Sequence, residues 1–83
     1  MGDEVAGIKL SEVRAALAEL EPGHYPVREL YGRYIEACRS AGYAGGYVRP
    51  FGRALNALGV EPARYVPDLG ETARWVDPAR LSV

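Results

Sequence analysis

The chain has 83 residues, of which 48% are hydrophobic and 25% are charged, and its formal net charge is −1. These fractions are ordinary for a globular protein and exclude a disordered or coiled-coil class. No apolar run is long enough to span a bilayer, and acidic Asp3 and Glu4 differ from the basic start of a signal peptide. We therefore expect one cytoplasmic domain over residues 1–83, with its core at about 8–77 and no membrane contact.

The charges are unevenly distributed along the chain. Residues 1–27 carry two basic and five acidic side chains, residues 28–64 carry six and three, and residues 65–83 carry two and three. The net charges of the three segments are therefore −3, +3 and −1. Nucleic-acid binders usually have a basic surplus, so the whole chain lacks their typical charge, but the middle segment has it.

The periodicity of apolar residues predicts three helices. The first has Ser11 as a suitable N-cap, and the second begins at about Pro26 and stops near Gly42. The third covers about 48–58 and stops at Gly59. The apolar stripes recur at i, i+3, i+4 and i+7, and they consist of Val13, Ala16, Leu17 and Leu20, then Val27, Leu30, Tyr31, Tyr34, Ile35 and Cys38, then Phe51, Ala54, Leu55 and Leu58.

A β-hairpin is predicted at the C-terminal end. Residues 63–66 and 72–76 contain β-branched and aromatic side chains and flank a Pro-Asp-Leu-Gly-Glu loop. Because an isolated hairpin is unstable, one face must pack on the helices, and Trp75 is the expected anchor. Residues 23–27 are expected to hold a turn or a very short strand. The fold class is thus mainly α with a C-terminal β-hairpin, the arrangement of a three-helix winged helix-turn-helix.

The sequence has no signature of catalysis. It contains no Walker loop, dinucleotide fingerprint, Gly-x-Ser-x-Gly elbow or His-Glu-x-x-His pair. Its single His24 and single Cys38 provide little for a zinc site or a Cys-His nucleophile pair. We expect His24 to be a solvated loop residue and Cys38 to be a small core residue. The chain is therefore predicted not to be an enzyme and to need no metal or cofactor.

The polar face of the third helix contains the main candidate site. When the apolar stripe faces inward, Arg49, Arg53 and Asn56 lie together on the outside. Arginine binds guanine or phosphate bidentately and asparagine binds adenine bidentately, which suits a helix in the major groove of DNA. The alternative is that these three residues only make an exposed face soluble, and periodicity does not decide between the two.

The hairpin and the loop before the third helix supply further candidates. Arg64 and Arg74 lie on the hairpin and are candidate phosphate contacts. Their alternative role, which we favour slightly, is that of charged residues at an exposed strand edge. Tyr43 and Tyr47 lie in the glycine-rich loop at 41–47 and are candidates for aromatic contact with nucleic acid.

Three short runs resemble a known family. They are Leu30-Tyr31-Gly32-Arg33-Tyr34, Phe51-Gly52-Arg53-Ala54-Leu55 and Leu58-Gly59-Val60. Together they resemble the winged-helix domain at the C-terminus of phage and plasmid primase-helicases of the poxvirus-like type, over about residues 27–76. The resemblance implies a Tyr-x-x-Tyr helix, a Phe-Gly-x-x-Leu-x-x-x-Gly recognition helix and contact with nucleic acid. It also implies the recognition-helix role for Arg49, Arg53 and Asn56.

These observations lead to two hypotheses of function. The first is a DNA-binding module whose recognition helix enters the major groove of double-stranded DNA, with hairpin 63–76 as the wing. The absence of a primase or helicase segment suggests a free-standing regulator from a phage, plasmid or other mobile element, and the Ala, Gly, Arg and Val bias suggests a bacterial source. The alternative is a winged-helix protein-interaction module, such as a small phage-encoded inhibitor, with a protein partner or a homodimer.

Overall fold

The computed structural model of the chain describes residues 3–42 and 44–81. It contains three helices and a small antiparallel sheet of three strands, preceded by a two-stranded N-terminal hairpin. In chain order the elements are β1 (Glu4–Val5), β2 (Ile8–Lys9), α1 (Leu10–Leu17), β3 (Gly23–Pro26), α2 (Val27–Ser40), α3 (Val48–Ala57), β4 (Arg64–Val66), β5 (Glu71–Val76) and a short 3₁₀ helix at Pro78–Arg80.

The three-stranded sheet joins the middle of the chain to its C-terminal end. Its strand order is β3-β5-β4, and both pairings are antiparallel. The predicted hairpin is formed by β4 and β5, and the expected short strand at 23–27 is confirmed as β3. Because β3 pairs with β5, the second strand of the hairpin becomes the central strand and has a neighbour on both sides.

The core forms where the apolar stripes of the helices meet. The inward residues of α3 are completely or almost completely buried, which confirms the predicted periodicity: Phe51, Ala54 and Leu55 are each 0% exposed and Leu58 is 1% exposed. Leu30, Tyr34 and Cys38 of α2 and Val13 and Leu17 of α1 belong to the same cluster. Burying this much apolar surface supplies the main driving force for folding of a chain this short.

Two tyrosines of α2 hold the connection that leads into α3. The hydroxyl of Tyr31 donates to the carbonyl of Gly46 at 2.9 Å, and the N–H of Gly46 donates to the hydroxyl of Tyr34 at 2.9 Å. Both rings also pack on Phe51, with ring centroids 5.5 and 5.2 Å apart. Burial raises the pKa of the Tyr34 hydroxyl, although the hydrogen bond from Gly46 acts in the opposite direction. The start of α3 is thus fixed relative to α2 by polar and aromatic contacts together.

The N-terminal region differs from the prediction. Residues 4–9 form the β1–β2 hairpin, which the apolar periodicity does not indicate. Its turn is made by Ala6 and Gly7, both at positive φ, and two such residues are what a tight hairpin turn requires. The N-cap of α1 is Lys9, with no side-chain cap, so the prediction of Ser11 as N-cap is wrong. Pairing of β2 starts the helix two residues earlier than the cap chemistry suggests.

The hairpin anchor also differs from the prediction. Val76 is fully buried and belongs to the core cluster, whereas Trp75 is half-buried. Side chains alternate between the two faces of a strand, so residues 74 and 76 face the helices and Trp75 faces away. There it packs edge-on against His24 of β3, with ring centroids 5.1 Å apart. The alternation of side chains along β5 therefore makes Val76 the anchor, whereas the prediction relied on the large size of Trp75.

Within the described residues, no helix is both long enough and apolar enough to cross a bilayer. The longest helix, α2, has 14 residues.

Replacing Gly45 with alanine is expected to destabilise the fold, because the new Cβ would lie 3.0 Å from Cε2 of the Tyr34 ring, which is buried, stacked on Phe51 and bonded to Gly46. The contact with Ile35 Cδ1, at 2.7 Å, involves the end of a flexible side chain that can move. We expect the free energy of unfolding, measured by urea denaturation, to fall by about 1–3 kcal/mol. Gly32 is the matched control: it lies within α2 with nothing within 4 Å of an added Cβ. Gly32→Ala should increase stability by about 0.5–1 kcal/mol. Equal effects of the two substitutions would contradict the proposed close packing at Gly45.

Candidate functional site

The side of α3 turned away from the core presents four residues in one row. Arg49, Gly52, Arg53 and Asn56 follow at i, i+3, i+4 and i+7, so they share a face of the helix. The side chains of Arg49, Arg53 and Asn56 are exposed. We call these four residues the outer face of α3. The structure thus brings together the three residues that the sequence predicted to lie together on this helix.

The two arginines on the outer face differ from the other arginines of the described chain. Arg49 and Arg53 have no hydrogen bond or ion pair within residues 3–42 and 44–81. The remaining arginines do have partners in that part of the chain: Arg14 with Asp3, Arg28 with Glu71, Arg33 with Glu29, Arg39 with Glu36, Arg80 with Asp77, Arg64 with His24, and Arg74 with Asn56. The outer face therefore presents two positive groups whose hydrogen-bonding capacity is unused.

The sequence around the outer face is free of acidic residues. No aspartate or glutamate occurs from residue 37 to residue 60, and this segment carries Arg39, Arg49 and Arg53. The positive charge on α3 is therefore not neutralised by neighbours on its own helix or in the loop before it. This local imbalance coexists with the net charge of −1 because the acidic residues lie elsewhere in the chain.

Tyr47 lies at the N-cap position of α3 and is 83% exposed. The next residue, Val48, is 52% exposed. An exposed aromatic ring next to a row of arginines can stack on a base or pack against a sugar. The second tyrosine predicted in this loop, Tyr43, lies outside the described residues.

Arg74 has a different environment from the predicted one. It lies on the central strand β5, is only 9% exposed, and is thus neither an edge residue nor an open phosphate contact. Its Nη1 donates to Oδ1 of Asn56 at 2.7 Å and to the carbonyl of Glu61 at 3.4 Å, while Nε is buried without a partner among the described residues. Burial lowers the pKa of this guanidinium, which nevertheless stays charged at neutral pH. The prediction fails because β3 pairs with β5, so the strand that carries Arg74 is the central strand of the sheet and not an edge strand.

The hairpin presents a mixed surface. Arg64 is exposed on the edge strand β4, and its Nη2 lies 3.4 Å from Nε2 of His24. Tyr65 is 64% exposed and Leu69, in the turn, is 41% exposed. Sequence reasoning missed Tyr65 and Leu69 as candidate contact residues: the turn position of Leu69 is visible in the sequence, but alternation does not predict that consecutive Arg64 and Tyr65 are both exposed. The exposed hairpin side chains thus include one arginine, one aromatic and one aliphatic residue, together with Pro67, Asp68 and Thr72.

A bidentate ion pair connects the hairpin to the start of α2. Arg28 donates from Nε and Nη2 to the two carboxylate oxygens of Glu71, each at 3.0 Å. Hydrogen bonding to Arg28 holds the pKa of the Glu71 carboxyl below its usual value. Such paired, planar contacts fix orientation better than single ones. The position of the hairpin relative to α2 is therefore held by a specific contact as well as by the sheet.

The far side of the molecule carries a shallow groove between α1 and α2. Small residues line its floor, and the acidic residues Glu19, Glu29 and Glu36 lie along it. Among the described residues, including those of this groove, no group of three or more His, Cys, Asp or Glu side chains is arranged to hold a metal ion.

Comparison with known protein families, characterised proteins and solved structures gave no match to this chain. Its function must therefore be argued from its own residues.

The Arg28–Glu71 pair should be visible in the titration of the carboxyl group. The lowered pKa of Glu71 means that the pair stabilises the fold above the ordinary carboxyl pKa, and that this contribution is lost as pH falls through the lowered value. In Arg28→Ala, the pKa of Glu71 measured by NMR should rise toward its ordinary value of 4.5. The exposed Arg39→Ala variant should leave it unchanged. An identical Glu71 pKa in the native protein and in Arg28→Ala would refute the contact.

Proposed function

We propose that this chain is a winged-helix DNA-binding module, with α3 as the recognition helix and the β4–β5 hairpin as the wing. The order of elements supports this. Helix, strand, helix, helix and hairpin follow one another, and the strand between the first two helices pairs with the second strand of the hairpin. In a winged helix the third helix enters the major groove while the hairpin approaches the adjacent backbone or minor groove.

The observation that carries the proposal is the pair of unpartnered guanidinium groups on α3. Arg49 and Arg53 are one turn apart, exposed, and without a hydrogen bond or ion pair in the described chain. Arginine forms bidentate hydrogen bonds to guanine O6 and N7 or to phosphate oxygens. By contrast, the exposed arginines Arg33 and Arg39 of α2 each pair with a carboxylate on the same helix. The outer face of α3 is thus suited to a polyanion with acceptor groups.

The dimensions of α3 suit the major groove. A helix with its side chains is about 10–12 Å across, which matches the major-groove width of about 12 Å, and the 10 residues of α3 extend about 15 Å along their axis. The exposed ring of Tyr47 at the start of the helix adds a surface for a sugar or base.

The wing contributes less positive charge than the sequence suggested. Since Arg74 is buried, the contacts we propose for the wing are Arg64 for phosphate and Tyr65 for the sugar edge. A single recognition helix with few charges binds weakly, and paired half-sites are the common remedy. We therefore propose binding as a homodimer on two half-sites.

The wider setting of the module is also a proposal. The resemblance to the primase-helicase domain supports a role on a phage, plasmid or other mobile element in a bacterial cytoplasm. In that setting the module acts as a regulator without catalytic activity.

A protein-interaction module is the second candidate, and two observations favour it. The groove between α1 and α2 is lined by small side chains, three glutamates and Arg33, so its net charge is negative, which suits a basic segment of a partner. Tyr65 and Leu69 are also exposed on the hairpin, where an apolar partner surface can cover them. The net charge of −1 is compatible with this role.

DNA binding is tested by fluorescence anisotropy on mixed-sequence duplexes at low and moderate salt. We expect salt-dependent binding by the native chain, and a weakening of at least about tenfold in the Arg49→Ala/Arg53→Ala double variant, because each arginine supplies a charge-assisted contact. If both arginines bind phosphate, the slope of log affinity against log salt should fall by roughly 2.

Arg33→Ala/Arg39→Ala is the matched control, since it removes the same charge from exposed arginines that already have carboxylate partners. It should bind nearly as well as the native chain. Equal weakening by both double variants would indicate attraction by net charge alone. Absence of binding at low salt, together with recovery of a stable protein partner that does not need Arg49 or Arg53, would favour the interaction module.

A further inference from the structure

The hydrogen bond between Arg74 and Asn56 determines which way the Asn56 amide faces. A guanidinium has only donors, so the atom that contacts Arg74 Nη1 at 2.7 Å must be the amide oxygen, Oδ1. The amino group, Nδ2, is then the free end of the side chain. Asn56 is exposed on the outer face of α3, so this end is available to a ligand.

We propose that Arg74 is a positioning residue that makes Asn56 a donor, so that the outer face of α3 selects guanine over adenine at the base pair that Asn56 contacts. This inference rests on the proposed DNA-binding function and specifies its base preference. It replaces the adenine contact expected from the sequence. Arg74 acts only through Asn56 and does not touch the base.

The chemistry of the base edges gives the reason. Bidentate recognition of adenine requires the asparagine oxygen to accept from N6 while the amino group donates to N7. In this chain Oδ1 is turned toward β5, where one of its two lone pairs accepts a charge-assisted hydrogen bond from the buried Arg74, so the amino group is the end of the amide that is directed away from the strand. The amino group retains two donors, and guanine is the base that presents two neighbouring acceptors, O6 and N7, in the major groove. The side chains of Arg49, Arg53 and Asn56 therefore all present hydrogen-bond donors on the outer face of α3.

The surroundings of Arg74 keep the contact in place. Its side chain is 9% exposed, lies on the central strand, and has no carboxylate partner among the described residues, so no ion pair competes with Asn56 for Nη1. Its other terminal nitrogen, Nη2, passes beside α3 at Gly52, 3.5 Å from where a Cβ would lie. An added Cβ at that distance would be in ordinary van der Waals contact, so the guanidinium packs closely against α3 beside Asn56.

The test is selection of bound duplexes from a randomised library, followed by affinity measurement on duplexes that differ only at the selected base pair. The native chain should prefer guanine to adenine there by at least about fivefold, the lower end for a good base contact. Arg74→Met places an unbranched, flexible apolar side chain in the buried site and removes the hydrogen bond to Oδ1 of Asn56. In this variant the preference should move toward adenine, with affinity for nonspecific duplex nearly unchanged. A purely structural role for Arg74 would lower the melting temperature without moving the preference.

Asn56→Asp is the second variant and protects the test against misfolding of Arg74→Met. The carboxylate retains the Arg74 contact and the shape of the side chain but removes both donors. The guanine preference should be lost and replaced by a preference for cytosine, whose N4 donates to a carboxylate. Arg53→Ala is the comparison that should reduce affinity without altering the preference at this base pair.

The outcomes separate the two proposals. If the native chain binds duplex DNA but neither Arg74→Met nor Asn56→Asp changes the base preference, the positioning role is refuted while DNA binding stands. A native preference for adenine also refutes it. If the native chain binds no duplex at all, the proposed function fails and the inference fails with it.

Discussion

The geometry of this molecule depends on how α2 holds the beginning of α3. Two tyrosine hydroxyls of α2 bond to the N–H and the carbonyl of Gly46, and the same two rings pack on Phe51 of α3. A buried polar group without a partner is costly, so these hydrogen bonds favour one placement of the connection over its neighbours. This junction fixes the start of α3 and is therefore one determinant of the direction of its outer face.

The sheet adds a second constraint on the same helix. Pairing of β3 with β5 makes β5 the central strand and turns Arg74 toward α3, where it bonds to Asn56. This hydrogen bond joins α3 directly to β5. Two neighbouring arginines on the exposed side, Arg49 and Arg53, have no partner among residues 3–42 and 44–81. Of the three arginines on α3 and β5, Arg74 is buried and bonded to Asn56, whereas Arg49 and Arg53 are exposed and accessible to a ligand.

Several features were predictable because they depend on local patterns. The period of 3.6 residues identified the buried face of α3 through Phe51, Ala54, Leu55 and Leu58, and hence the exposed face opposite. The turn chemistry of residues 67–70 identified the hairpin. The β1–β2 hairpin was missed because its strands have two residues each, too few to show an alternation. Trp75 was misplaced because its size suggested an anchor, whereas the alternation along β5 decides which side chains face the helices.

By itself, the sequence determined the three helices, the hairpin and which residues of α3 face outward, because each depends on contacts between residues close together in the chain. The tertiary structure alone decided that Arg74 is buried and which way the amide of Asn56 faces. Their bond joins residues 18 positions apart, and it requires a central strand created by β3, about 50 residues before Arg74. Pairing across such separations leaves no periodic signal. The same arginine therefore looked like a surface cation in the sequence and became a buried donor in the fold.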